Sequence, residues 1–191
     1  MLVVRHGQSE WNAAGRWQGR ADPPLTMEGQ RQSAAAARAL GTFDAVVASP
    51  LLRAAETATI ISEHLDIGPV LVEPDLMERD AGEWQGLTRE QIEIDWPGCL
   101  EQGKRPPGYE PDDVILDRVM AALDRVAQRA SGGAVLVVAH GGVVYSLEDA
   151  CGEPWRRIPN LGARWFEMTN GHLTAGARVE LIPDGTLPDV L

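Results

Sequence analysis

The chain is short of several residue types, and each shortage removes a class of function. Cysteine occurs only at Cys99 and Cys151. Two cysteines cannot build a disulfide framework, and neither has a partner at metal-site spacing, so both are expected to be reduced structural thiols. Lysine occurs once, at Lys104, and 28 acidic side chains face 17 basic ones, leaving a net charge of −11. A nucleic-acid partner calls for a basic face, which this composition does not offer. Nearly every cation is arginine, so arginine abundance by itself carries no functional meaning. No run approaches the ~18 apolar residues of a membrane span. The opening Met1-Leu2-Val3-Val4-Arg5-His6 lacks the charged leader, long apolar run and cleavage site of a signal peptide. The expectation is a cytoplasmic protein with neither a membrane nor a nucleic acid as partner; a homodimer is left open.

What is present is enough for one sizeable core: 191 residues, 44% of them hydrophobic, fit a single domain over residues 1–191. Short apolar runs alternate with helical segments, the pattern of an α/β architecture. Leu2-Val3-Val4 and Asp44 to Ala48 are strand candidates. Ala134 to Ala139 is an unbroken apolar run suited to a central strand covered on both faces. Thr26 is placed to cap an alanine-rich helix from Glu28 to Leu40. Ser49 and Pro50 have the character of an N-cap and first helical residue, with Leu51, Ala55, Ala58, Ile61 and Leu65 as the apolar stripe that follows. A further amphipathic helix starts near Asp112, with Leu116, Val119, Leu123, Val126 and Ala130 on one face, and Ser131-Gly132-Gly133 ends it. Two strands, Arg164 to Met168 and Leu173 to Leu181, are expected around an Asn170-Gly171 turn. Residues 81–111 are irregular and are read as a cap insertion over the sheet edge.

An internal echo singles out two of the four histidines. Leu2-Val3-Val4-Arg5-His6-Gly7 and Leu136-Val137-Val138-Ala139-His140-Gly141 agree at five of six positions. A lone histidine at a strand end is more often a satisfied structural residue, but a matched pair reverses that weighting. If the two strands are parallel neighbours, both imidazoles stand at their carboxyl ends, where open α/β sheets place ligands. Gly141 would let backbone pass close to whatever His140 faces. His64 and His172 have no such context and are read as surface residues. A metal site is the weaker reading, because no Cys, Asp or Glu ligand flanks either histidine at zinc-like spacing.

The neighbours suit an anion. Arg5 precedes His6, and Arg53 falls in the first turn of the helix after Ser49-Pro50, where free amides and the helix dipole already favour negative charge. A guanidinium offers paired donors matched to phosphate oxygens. Asn12 and Gln18 would add neutral donors. Each arginine taken alone is better explained as a surface charge; together with the histidines they form a cradle.

These residues fall in a recognisable order. Arg5-His6-Gly7-Gln8-Ser9-Glu10-Trp11-Asn12 resembles the signature of the histidine phosphatase superfamily, which includes cofactor-dependent phosphoglycerate mutases. Gln18-Gly19 through Leu25-Thr26 and Gly29 resembles the next block. Ser49-Pro50-Leu51-Leu52-Arg53-Ala54 with Glu56-Thr57-Ala58, Leu76-Met77-Glu78 with Gly82, Trp84 and Gly86, and Val138-Ala139-His140-Gly141-Gly142 follow in sequence. The resemblance implies a three-layer α/β/α sandwich with a mixed, mainly parallel central sheet and a small cap. It also implies that His6 is a nucleophile, that Arg5, Arg53 and His140 complete the phosphate pocket, and that Glu78 is the proton donor. Asn12 and Gln18 match positions that contact phosphate or shape its entrance, and Arg89 falls where mutases carry a substrate-binding cation.

The implied activity is metal-independent, cofactor-free hydrolysis of a small phosphate monoester through a phosphohistidine, releasing inorganic phosphate. A mutase is the alternative, disfavoured by the short chain, the plain cap and Ala81 where mutases carry a tyrosine. Lys104-Arg105-Pro106-Pro107 is a looser echo of the mutase cations and is better read as a solvated loop. Trp84 and Trp96 are better read as packing than as a leaving-group wall. A non-catalytic phospho-ligand-binding relative is a third reading, disfavoured because no catalytic position is lost.

Overall fold

The computed structural model describes residues 1–169 and 171–182. Its sheet contains β1 (Leu2–Arg5), β2 (Ala45–Ala48), β3 (Leu71–Val72), β4 (Val135–Ala139), β5 (Gly162–Thr169) and β6 (His172–Glu180). The order across the sheet is β3-β2-β4-β1-β5-β6. Strands β1 to β4 run parallel, and the β5–β6 hairpin joins antiparallel at β1. Asn170, half of the expected hairpin turn, lies outside the described residues. Around the sheet are α1 (Glu10–Ala13), α2 (Met27–Ala39), α3 (Leu52–Leu65), α4 (Arg89–Asp95), α5 (Asp112–Ala130) and α6 (Gly141–Ala150).

Alternation along the central strands makes the sandwich. Val3, Val137 and Val135 point to one face, where they meet Ile115, Val119, Leu123 and Val126 of α5 and Val143 and Leu147 of α6. Leu2, Val4, Leu136 and Val138 point to the other, against Ala36 and Ala37 of α2 and Ala54, Ala58 and Ile61 of α3. A strand covered on both faces has no polar side, which is why β4 reads as a continuous apolar run. At ~25 cal/mol per Å² of buried apolar surface, these two layers are the main source of stability.

Two helices differ from the sequence reading, one in its start and one in its buried stripe. Helix α3 begins at Leu52, with Leu51 as an N-cap that makes no side-chain bond. Ser49 stands just before it, its hydroxyl accepting from the Leu51 amide at 3.3 Å and also meeting Nε2 of His140 at 2.8 Å. In α5 the buried stripe is Ile115, Val119, Ala122, Leu123 and Val126, and Leu116 turns instead towards a cavity. Within residues 81–111, a 3-10 turn at Gly82–Trp84 and α4 were not expected. Trp84 and Ile92 from this segment close with Trp17 over a third, small apolar cluster, against which Trp96, Cys99 and Tyr109 pack. Both cysteines are free and half-buried. Among the described residues, no helix is long and apolar enough to cross a membrane.

Candidate active site

Strands β1 and β4 pair in parallel with Arg5 opposite Ala139, so His6 and His140 leave the sheet side by side. The His6 amide donates to the Ala139 carbonyl at 3.0 Å, and the two imidazole centroids stand 5.2 Å apart. Neither ring is exposed beyond 1%. The next residue, Gly7, is tightly confined: a Cβ there would lie 2.7 Å from the Gly29 carbonyl oxygen of α2. The Gly7 amide donates to the Thr57 hydroxyl, which donates to the Arg53 carbonyl. This bridge ties the His6 loop to the helix that carries Arg53.

The His6 tautomer follows from its hydrogen bond. Nδ1 lies 2.7 Å from the Gly7 carbonyl oxygen, a group that can only accept, so Nδ1 carries the proton and Nε2 keeps its lone pair. Burial, then the charges of Arg53 and Arg5, holds the His6 pKa well below the ordinary histidine value. The imidazole is therefore neutral and nucleophilic at neutral pH. His140 is held low by burial, and next by Arg53, His6 and Arg5.

Two guanidiniums are buried beside this pair. Arg5 reaches back to the Ile158 carbonyl at 2.7 Å, while Arg53 is fixed by the carbonyls of Ala21 (2.7 Å) and Gly19 (2.9 Å). Burial lowers the Arg53 pKa to about 10, which still leaves it charged at neutral pH. Nε of Arg5, Nε of Arg53 and Nδ1 of His140 are buried without a hydrogen-bond partner among the described residues. Each such orphan costs free energy, roughly 1–3 kcal/mol for a neutral group and more for a charged one. Three of them near one neutral histidine form a cradle suited to an anion; of its members Arg5 and His6 line the neighbouring cavity, while Arg53 and His140 are outside its lining.

Glu78 faces this cradle across a cavity of about 430 Å³, which is lined by Arg5, His6, Gln18, Glu78 and Gly141 among others. Its Oε1 accepts from the Arg79 amide at 2.8 Å and its Oε2 from the Gly142 amide at 3.2 Å. Gly142 lies in the first turn of α6, so the carboxyl group is held against a helix N-terminus.

Other expected residues sit differently. Asn12 is buried and stands behind the cavity. Its Oδ1 accepts from the amide of Ser9, which caps α1, and from Nδ2 of Asn160. Asn160 also donates to the His6 carbonyl at 2.9 Å, so Asn12 braces the His6 loop from the rear. Gln18 lines the cavity, and its Oε1 accepts from Ser9. Arg89 is exposed at the start of α4 and does not reach the cavity lining. Arg79 and Arg105 line it instead. Arg105 is exposed, as its loop was read, and lies over Tyr109 at 5.3 Å and Trp84 at 5.9 Å. Trp84 and Trp96 pack in the third cluster, as read. His64 and His172 are exposed. The roles of Ser49, Thr57 and Asn160 had no separate signal, although Ser49 and Thr57 stand in the block around Arg53. Among the described residues, no group of three or more His, Cys, Asp or Glu is placed to hold a metal ion.

With this geometry in view, known proteins give a consistent comparison. A family model described as the histidine phosphatase superfamily (branch 1) matches residues 1–177. A metal-independent phosphoserine phosphatase of Arabidopsis thaliana is 36% identical over 157 residues, covering 77% of this chain and 66% of that protein. A glucosyl-3-phosphoglycerate phosphatase of Mycobacterium tuberculosis is 33% identical over 202 residues, covering 95% of this chain and 90% of its own. The mycobacterial glucosyl-3-phosphoglycerate phosphatase in complex with VO3 superposes with a TM-score of 0.81 at 29% identity, covering 92% of this chain and 95% of that one. The shared architecture is an α/β fold with a mixed, mostly parallel sheet.

Proposed function

Because the chain belongs to the histidine phosphatase superfamily, branch 1, we propose that it hydrolyses small phosphate monoesters through a phosphohistidine on His6. The observation that carries this reading is the set of three unpartnered, buried nitrogens on Arg5, Arg53 and His140 around a histidine locked in its Nδ1–H tautomer. With the Ser49 hydroxyl donating to Nε2 of His140, so that Nδ1 carries the proton, that arrangement supplies a nucleophile and, beside it, fixed donors for oxygens that gain charge. Phosphoryl transfer asks little more of a protein than positioning and charge neutralisation.

In the first step Nε2 of His6 forms a bond to phosphorus as the ester P–O bond breaks in line with it. Glu78 gives its proton to the departing alcohol oxygen. Arg5, Arg53 and His140 hold the equatorial oxygens, with no reorganisation needed at the moment of reaction. In the second step water attacks phosphorus, Glu78 takes the water's proton, and the N–P bond breaks to return neutral His6 and release phosphate. Splitting the displacement in two is the general advantage of a covalent intermediate. No step calls on a metal or organic cofactor.

Hydrolysis is favoured over mutase chemistry by the outer part of the cavity. Arg79 and Arg105 share the lining with Asp112, Asp113 and Asp149, and Arg79 is already engaged by Asp112 at 2.5 Å. A bisphosphate would meet more fixed negative than free positive charge. The volume, within the ~300–1,000 Å³ range of small-molecule sites, accommodates an alcohol well beyond the phosphoryl group. Phosphoserine and glucosyl-3-phosphoglycerate, the substrates named for two relatives, are the first to test. In this reading residues 81–111 serve as a cap, and the protein acts in the cytoplasm.

The test is hydrolysis of p-nitrophenyl phosphate with and without EDTA by the wild type and His6→Ala. Chelator-resistant turnover, abolished in the variant, is expected; turnover that survives His6→Ala contradicts the mechanism. Supplying 3-phosphoglycerate with a trace of bisphosphoglycerate should release phosphate. Interconversion to 2-phosphoglycerate without release would favour the mutase.

A further inference from the structure

We infer that Arg118 and Glu110, neither of which touches the phosphate cradle, form a buried positioning pair that sets Glu78 in register with Arg53. The inference rests on the reading of Glu78 as proton donor. Arg118 rises from α5, and its side chain is only 14% exposed. It donates to the carbonyls of Asp75 (2.6 Å), Met77 (2.7 Å) and Glu78 (3.2 Å), which are the backbone acceptors of the segment that presents Glu78. The same guanidinium grips both carboxylate oxygens of Glu110 at 2.8 Å.

Glu110 extends the connection in two directions. Its Oε2 accepts from the Asp80 amide at 3.2 Å, two residues beyond Glu78. Its Oε1 accepts from Arg20 at 3.0 Å. Arg20 lies between Gly19 and Ala21, the two residues whose carbonyls hold the Arg53 guanidinium. A single carboxylate thus joins the loop that seats the phosphate-binding arginine to the segment that carries the acid.

A buried ion pair is a poor device for stability alone, because desolvating both charges offsets most of their attraction. It is a good device for fixing geometry, since five directional bonds from one planar guanidinium leave few alternative arrangements. Arg118→Lys keeps the charge but loses the fork. Glu110→Gln keeps the shape but loses the charge.

The experiment compares kcat/KM for two substrates, p-nitrophenyl phosphate and O-phosphoserine. The first leaves as a stabilised phenolate and needs little help from an acid; the second leaves as an alkoxide and needs a proton. Because kcat/KM includes only steps through leaving-group departure, later hydrolysis of phosphohistidine does not enter. Glu78→Gln sets the scale, with a loss of ~100-fold or more expected for phosphoserine and a far smaller one for the nitrophenyl ester. Arg118→Lys and Glu110→Gln are expected to lose on the order of tenfold for phosphoserine and less than about threefold for the nitrophenyl ester. Arg20→Ala, at a side chain 38% exposed, is a milder variant that keeps the test open if the buried changes prevent folding, and a smaller split in the same direction is expected. Equal losses on both substrates would mean a merely structural role and overturn the inference. A split in Glu78→Gln with none in the other three overturns the positioning role alone. No split in Glu78→Gln overturns the proton-donor reading and the inference with it.

Discussion

Gly142→Ala should disable the acid without unfolding the protein. A Cβ at position 142 would stand 2.3 Å from Glu78 Oε1 and 3.3 Å from its Cδ, where ordinary contact begins near 3.4 Å. The carboxyl group must therefore retreat by about 1 Å, a displacement of the kind that costs on the order of 100-fold in rate, or about 2.7 kcal/mol of barrier. The fold has little reason to object. The tightest contact is with the far end of the flexible Glu78 side chain, Arg79 Cβ at 3.2 Å need give only a few tenths of an ångström, and alanine is favoured over glycine in a helix by roughly 0.5–1 kcal/mol. The assay is kcat/KM for phosphoserine, paired with a thermal melt. A loss near 100-fold with an unchanged or raised midpoint is expected. A well-folded variant within twofold of the wild type would refute the argument that Glu78 must sit where Gly142 lets it.

Other consequences can be checked with the same preparations. Ser49→Ala removes the partner of His140 Nε2; it should cost about 1–3 kcal/mol in a denaturant titration and raise the phosphate concentration needed for product inhibition. The His6 and His140 pKa values are both depressed in the fold, so the unfolded chain binds the extra protons first as pH falls. Their contribution to stability is complete above the unfolded value of about 6.5 and declines below it towards the folded values, by up to 1.36 kcal/mol per pH unit for each histidine. Replacing His140 with asparagine should remove one proton's worth of that slope in melts below pH ~6.5. The acid limb of kcat/KM should likewise lie below the ordinary histidine value, since the nucleophile stays neutral there. Arg53→Lys keeps charge but loses the paired bonds to Gly19 and Ala21, and kcat/KM should fall by at least about tenfold.

Much of the centre was legible in the residues themselves. The echo between Leu2–Gly7 and Leu136–Gly141 anticipated paired strands with two histidines at their ends, because parallel pairing leaves equivalent residues side by side. The apolar runs of β1 and β4 were readable because both sheet faces are covered. The start of α3 was placed two residues early: Ser49 does accept from the Leu51 amide, as an N-cap would, but the regular helix begins only at Leu52, and the same hydroxyl also meets His140, 91 residues away in sequence. Helix α4 was overlooked although Thr88 and Gln91 form a capping box, a signal obscured by the surrounding glycines and prolines. A substrate-binding cation was sought at Arg89, which lies outside the cavity lining; Arg105 of residues 81–111 and Arg79, just before them, line it instead. The Arg20–Glu110–Arg118 connection joins residues up to 98 positions apart, and no local pattern announces it.

The central claim is that Nε2 of His6 takes the phosphoryl group. The direct measurement is rapid mixing with substrate, a quench into alkaline denaturant that preserves phosphohistidine, and peptide mass analysis. One phosphoryl group on the peptide containing His6, formed within a single turnover and lost on acid treatment, is predicted. Full turnover with the phosphoryl group never found on His6, or found only on another side chain, would contradict the account.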